Sequence, residues 1–248
     1  MHLNKLTDLI YPYLSADELE WLQSAMSALQ TSADPMNDLL DISVLVKRKV
    51  SSTLAIQNDL VHVIDGSELI RILLIHKALS SHAELSTTTL VKGYYQAGDS
   101  SEKAALLRGL NVIDPKGEAA SVAIRAARCN SLDEFTALAL NNGYASMHFE
   151  DLNFNQLVLK TLFLGLDIDN LVGLRNRLSP SLSNMCFSYV VEQALADRVP
   201  PATIWLAIRY QDLTLEHSSL FNQYTEHFIS KSDKHQTEIK KLIKNQSI

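Results

Sequence analysis

The residues typed and spaced for chemistry gather around one stretch, HFEDLNFNQLVLKTLFLGLD, His148 to Asp167. If a helix starts near Asn153, then Asn153, Gln156, Lys160 and Asp167 follow one another at helical spacing and form a narrow polar stripe. Phe154, Leu157, Val158, Thr161 and Leu162 share another face, and Leu159, Phe163 and Leu166 widen it, so the helix is expected to be buried on most sides. Asn155 lies off the stripe, towards Leu159. Upstream, Arg125 and Arg128 end one helix, Asn130 and Ser131 form the next turn, and His148 and Glu150 stand just before the stretch. Arg128, Asn130, His148, Asn155, Gln156 and Lys160 are the candidate ligand- or partner-binding set. An ammonium and a guanidinium over an apolar floor suit an anionic or carbonyl-bearing group. The same residues also have a structural reading. Asn130 and Asn155 can satisfy loop and helix-end carbonyls, Lys160 can lay its methylenes on apolar neighbours with its ammonium in water or on Asp167, and Arg128 suits a helix C-terminus. Both readings stand at this point.

No other stretch offers a reaction centre. The eight His are scattered without an HExxH pair, and Cys129 and Cys186 are not at zinc spacing. Asp167-Ile-Asp169-Asn170 begins like a calcium loop, but Val172 falls where that loop needs glycine and no bidentate Glu follows. Neither GxGxxG, GxxxxGK nor GxSxG occurs. No catalytic residue, metal or cofactor is therefore assigned. His76, flanked by apolar residues, reads as an inner histidine, and Lys47-Arg48-Lys49 as a solvated helix end.

The elements that must position the stretch are helical. Only 8 Gly and 6 Pro in 248 residues supply few turn signals, and 46% apolar residues is ordinary for a globular chain. Ser15-Ala-Asp-Glu18 and Ser131-Leu-Asp-Glu134 have the capping-box pattern, Asn153 is placed to cap the helix of the opening stretch, and Ser179-Pro180 and Pro200-Pro201 mark two further starts. The periodicity predicts helices over 2–13, 16–30, 36–50, 67–81, 86–97, 101–110, 116–128, 132–141, 153–165, 168–175, 180–197, 201–210, 215–230 and 234–245. Residues 51–66 break the pattern, with LVHVI a candidate extended piece. Trp21, Trp205 and Tyr210 read as inter-helix anchors. Short helices with tight turns over 86–175 stack as hairpins, although no fixed repeat period is present. The fold class expected is all-α, an irregular, HEAT-like α-solenoid stack of helical hairpins in a single domain. Its parts are an N-terminal segment 1–85, a core 86–210 and a C-terminal extension 211–248.

A net charge of −6 argues against general nucleic-acid binding. From Lys231 onward, five Lys against Asp233 and Glu238 leave +3 on the tail, read as a solvated terminal helix. The nearest apolar run, LIRILLIHKAL, contains Arg71, His76 and Lys77, so no membrane span is expected, and peripheral membrane contact stays open. Two isolated thiols and an N-terminus without a signal pattern suit a cytoplasmic protein.

The run from Tyr94 to Ile208 resembles EboA-type proteins of bacterial metabolite traffic. YYQAGDSSEKAALLRGLNVI is similar to the family's short helix pair after a Q-x-G-D turn. RAARCNSLDEFTALALNNGYASMHF is similar to its R-T-N turn, helix and N-P-Y loop, and NFNQLVLKTLFLGLDIDNLVGL to its W-N-Q-x-V-L-K helix and I-x-G-L continuation. The likeness is most specific between Arg128 and Leu174. Phe154 stands where the family often has Trp, Gly143 where Pro is usual, and Cys129 where a small polar residue is usual. The family's Gly-Lys element is not visible in KRKVSSTLAI, and the tail after Tyr210 has no counterpart. The resemblance implies an all-helical cytoplasmic protein that binds or scaffolds in secondary-metabolite or precursor traffic. Its expected partners are proteins of that system or a small anionic or apolar metabolite. It implies no defined reaction. Two alternatives remain: an enzyme on a small anionic metabolite using Lys160, Arg128 or His148, or a pure protein–protein adaptor.

Overall fold

The computed structural model describes residues 2–51, 56–57, 62–63 and 65–246. Among the described residues the chain is helical apart from one pair of two-residue strands. It divides into two compact units, Met1–His148 and Phe149–Ile248. The sequence reading places its segment boundaries after residues 85 and 210.

The first unit contains α1 (His2–Ile10), a 3-10 turn (Tyr11–Tyr13), α2 (Ala16–Gln30), α3 (Pro35–Lys49), β1 (Ile56–Gln57), β2 (His62–Val63), α4 (Gly66–Ser81), α5 (Thr87–Ala97), α6 (Ser100–Arg108), α7 (Leu110–Ile113), α8 (Ala120–Ala126), α9 (Leu132–Ala139) and α10 (Tyr144–His148). β1 and β2 are antiparallel. Of the LVHVI piece, His62 and Val63 form β2, and the other three residues lie outside the described ones. α4 is the hub. Its sequence is apolar nearly all round, which demands burial on every side, and α1, α2, α3 and α6 pack against it. Asp65 caps it, accepting from the Glu68 N–H at 2.9 Å. Two charged residues go inside with it. Glu68 pairs with Arg108 of α6 at 3.1 Å, and Arg71 donates to Ser101 Oγ at 3.1 Å. His76 is half-buried on the same helix.

The Ser15–Glu18 box forms as expected, and Glu18 does more than close it. Its other oxygen accepts from the Ser51 N–H at 2.7 Å and the Ser51 hydroxyl at 2.8 Å, tying the start of α2 to the chain after α3. Those donors, the Ser51 backbone N–H first, hold the Glu18 carboxyl at about 2. A depressed carboxylate contributes stability that is present above its unfolded pKa of 4.5 and is lost as pH falls towards 2. Glu18→Gln is therefore expected to cost about 1 kcal/mol near neutral pH, since these hydrogen bonds are exposed and solvent screening discounts them. Urea unfolding at pH 7 and pH 2.5 checks this: the gap between the two proteins should close at the lower pH, and a pH-independent gap would count against it.

The second box is only half made. Ser131 accepts from the Glu134 N–H, but the Glu134 carboxylate turns away to accept the Tyr95 hydroxyl at 2.8 Å. A complete box appears instead at Asp99–Glu102, before α6.

The second unit contains α11 (Asp151–Phe163), 3-10 turns at Ile168–Asn170 and Leu174–Arg177, α12 (Pro180–Leu195), 3-10 segments at Ala202–Ala207 and Tyr210–Asp212, α13 (Leu215–Lys231) and α14 (Asp233–Gln246). The expected helix over 168–175 is corrected to two 3-10 turns, because Gly173 takes the left-handed φ of 79° between them. The expected helix over 201–210 is likewise 3-10. Asn153 is no cap: α11 begins two residues earlier, with Glu150 at the N-cap position, so Asn153 sits inside the first turn. Ser179 does cap α12, accepting from the Leu182 N–H at 3.2 Å. Around the 3-10 segment Ala202–Ala207 pack α12 and α14. Its Trp205 is buried edge-on to Phe221 and Phe228 and donates Nε1–H to His235 Nδ1 at 2.9 Å. The basic terminal helix α14 is thus not wholly solvated, since Ile239 and Leu242 are buried.

Candidate functional site

Arg177 builds the entry to α11. Its guanidinium donates to the Phe149 carbonyl at 2.8 Å and to Asp151 Oδ1 at 2.9 Å, and lies 4.7 Å from the centre of the Phe154 ring. That clamp fixes the first turn. α11 then buries Phe154, Leu157, Val158, Thr161 and Leu162, the face the apolar periodicity marks. The expectation of burial on most sides is corrected. Phe163 is 73% exposed and Leu152 61%, and Leu159 is only half-buried. The physical reason lies in α12, which covers one side of α11 and leaves the other to solvent.

Between the outer faces of α11 and α12 runs an open groove of about 330 Å³. Leu159, Phe163, Met185 and Tyr189 give it an apolar floor, with Lys160 on one flank and Ser188 and Glu192 on the other. Burial, with the nearby Glu192 carboxylate second, raises the Tyr189 phenol above its ordinary range, so the ring is an uncharged wall. Arg198 faces Glu192 at 3.8 Å and offsets that flank's negative charge. The arrangement can hold an apolar body and offer one ammonium to its polar end.

The sequence-predicted residues divide between the units. Asn155, Gln156 and Lys160 belong to the second. Lys160 lines the groove; Gln156 is exposed one turn earlier on α11; Asn155 is buried and donates to Ser181 Oγ in the first turn of α12 at 3.4 Å. Arg128, Asn130 and His148 belong to the first unit. Arg128 and Asn130 are exposed after α8, and His148 ends α10 with its ring 4.7 Å from Tyr144. His148 also lies against Gly117, whose φ of 74° only glycine adopts at low cost. Tyr144 in turn donates to the buried Asp114, whose carboxylate also takes the N–H groups of Glu118 and Ala119 at 2.9 and 2.8 Å.

Sequence reasoning missed Met185, Tyr189 and Glu192. The signal was available: Met185 and Tyr189 are one turn apart and off the face formed by Leu182, Cys186, Phe187 and Val190. Missed as well were the buried charges Glu68, Arg71 and Glu102 of the first unit. Among the described residues, no group of three or more His, Cys, Asp and Glu is placed to hold a metal ion, and no helix is long and apolar enough to cross a membrane.

Fold and groove together define a protein built of short packed helices with an open apolar channel on one helix pair. A family model described as "Metabolite traffic protein EboA" matches residues 3–209. The chain belongs to the EboA family. The match reaches well beyond the Tyr94–Ile208 resemblance, into the N-terminal half where local similarity is faint, and it stops short of α13 and α14. No curated protein and no solved structure matches the chain significantly.

Proposed function

We propose that this chain is a non-enzymatic cytoplasmic binding and scaffold protein of bacterial secondary-metabolite traffic, a HEAT-like stack of helical hairpins that presents the α11–α12 groove to its cargo. One observation carries the reading: Lys160 flanks an apolar channel whose floor includes a phenyl ring, Phe163, left 73% exposed. Large apolar side chains in such a position mark a surface that is covered in use. The cargo is a small apolar molecule with an anionic end, the body on Phe163 and Tyr189 and the anion at Lys160. Arg128, Asn130 and His148 are assigned to partner contact on the first unit. The pure adaptor reading has its own support, because Leu152 of α11 and Leu195 of α12 are also exposed, at 61% and 78%.

Thermal shift with octanoate and with octanol tests the proposal, comparing wild type with Lys160→Met, which keeps the aliphatic stem. A ligand at a hundredfold excess over its Kd stabilises by about 2.7 kcal/mol. Octanoate is expected to raise the Tm of wild type only, and octanol to act weakly and equally on both. An octanoate shift that survives in Lys160→Met, or none in either protein, would sink the cargo assignment.

A further inference from the structure

A second concavity, of about 570 Å³, lies in the same unit and shares no lining residue with the groove. Its floor is Val199-Pro200-Pro201-Ala202, one wall is the turn Gly165–Asp167 after α11, and the other is the first turns of α14. The walls are held before any ligand arrives. Adjacent prolines restrict the floor's backbone. His235 is fixed through both ring nitrogens: Nδ1 accepts from Trp205 at 2.9 Å, and Nε2–H donates to the Pro200 carbonyl at 2.9 Å. With both nitrogens engaged and burial opposing its protonation, His235 presents a neutral ring rather than a charge. Gly165 has φ 75°, and a Cβ there would meet nothing within 4 Å, so the mouth beside Asp167 is unobstructed.

The charges at this cleft differ in their partners. Glu238 is paired with Lys241 at 2.7 Å. Lys234 is exposed at the rim. Asp167 Oδ1 accepts the Thr203 hydroxyl at 3.2 Å, and that hydroxyl accepts the Ile168 N–H at 3.1 Å, so the carboxylate is oriented. Asp167 is exposed at the mouth, and among the described residues it forms no ion pair. An oriented, unneutralised carboxylate beside a rigid apolar floor selects a cation on an apolar body.

We propose that this cleft binds a small molecule carrying a protonated amine on a compact apolar body, the amine at Asp167 and the body on Val199–Ala202. One wall, from Ser232 to Glu238, lies beyond the family match to residues 3–209, so residues outside the matched span complete the site. The site stands apart from the α11–α12 groove and does not depend on it.

The probes are 2-phenylethylamine and 3-phenylpropionate, titrated into the 15N-labelled full chain. The reporter is the Trp205 indole N–H, one of two indole signals, assigned with Trp21→Phe. The amine should move the Trp205 signal saturably, and Asp167→Asn, which keeps an acceptor for Thr203, should weaken it at least tenfold. The carboxylate should leave the signal in place. Three results would overturn the site as described: equal titration of wild type and Asp167→Asn by the amine, displacement by the carboxylate instead (which would make Lys234 the determinant), or no movement with either probe.

Discussion

Arg108→Ala is expected to destabilise the first unit by about 3–5 kcal/mol, the cost of removing one partner from a buried ion pair. Glu68 sits on α4, the helix against which α1, α2, α3 and α6 pack, and its side chain is 4% exposed; that of Arg108 is 10% exposed. Inside the protein the desolvated carboxylate depends on its counter-charge, and the 3.1 Å contact also bridges α4 to α6. Replacing both partners by apolar residues, Glu68→Leu with Arg108→Met, should recover most of the loss, because the cost lies in a buried carboxylate left without its counter-charge rather than in the pair itself. Lys241→Ala serves as a contrast. It breaks the Glu238 pair, in which Lys241 is 60% exposed, and should cost no more than about 1 kcal/mol. Urea denaturation followed by circular dichroism measures all three. A loss under 1 kcal/mol for Arg108→Ala would mean that the Glu68 carboxylate does not depend on the Arg108 guanidinium.

Helix identity was legible wherever the apolar period ran for three turns or more beside a capping residue. α2, α3, α4, α5, α12, α13 and α14 fall within a residue or two of the periodicity. The pattern failed where the chain is short and turns tightly. A 3-10 segment such as Ala202–Ala207 carries the same apolar residues as one helical turn, and nothing in ATIWLA distinguishes the two. α10, five residues long, is below the length at which a period exists. Glu134 shows a different limit: the capping pattern fixes only what its own turn offers, and the Tyr95 hydroxyl, distant in sequence, competes successfully for the carboxylate.

The candidate site was legible by half. Lys160 was marked because a lysine in an apolar run needs an outlet, and α11 provides one at the groove. The same reasoning put Phe163 inside, since apolarity says that a residue prefers burial and not whether a neighbour exists to bury it. That depends on where α12 lies. Asn155 illustrates the converse. Adjacent in sequence to Gln156, it points into the α12 contact while Gln156 faces solvent, a difference of about 100° around the helix that decides everything about their roles.

The second large effect is expected at Trp205, where truncation to Ala should cost about 3–5 kcal/mol through lost apolar area and the cavity left behind. The indole is 1% exposed and stands edge-on to Phe221, Phe228 and His235 at centroid distances of 6.5, 6.3 and 6.1 Å. Trp205→Phe separates the two contributions. It keeps most of the packing but takes the donor from His235 Nδ1, which should cost about 1–3 kcal/mol. The pH dependence carries the signature. Burial holds the His235 pKa below its ordinary 6.5. The unfolded chain therefore binds a proton that the folded one refuses, and wild-type stability falls as pH drops below that value. Without the indole donor, Nδ1 is free to take the proton, so the loss between pH 7.5 and pH 5.5 should be smaller in Trp205→Phe than in wild type. Chemical denaturation followed by circular dichroism at the two pH values gives both quantities. Equal losses in the two proteins would show that burial, and not the indole N–H, keeps His235 neutral.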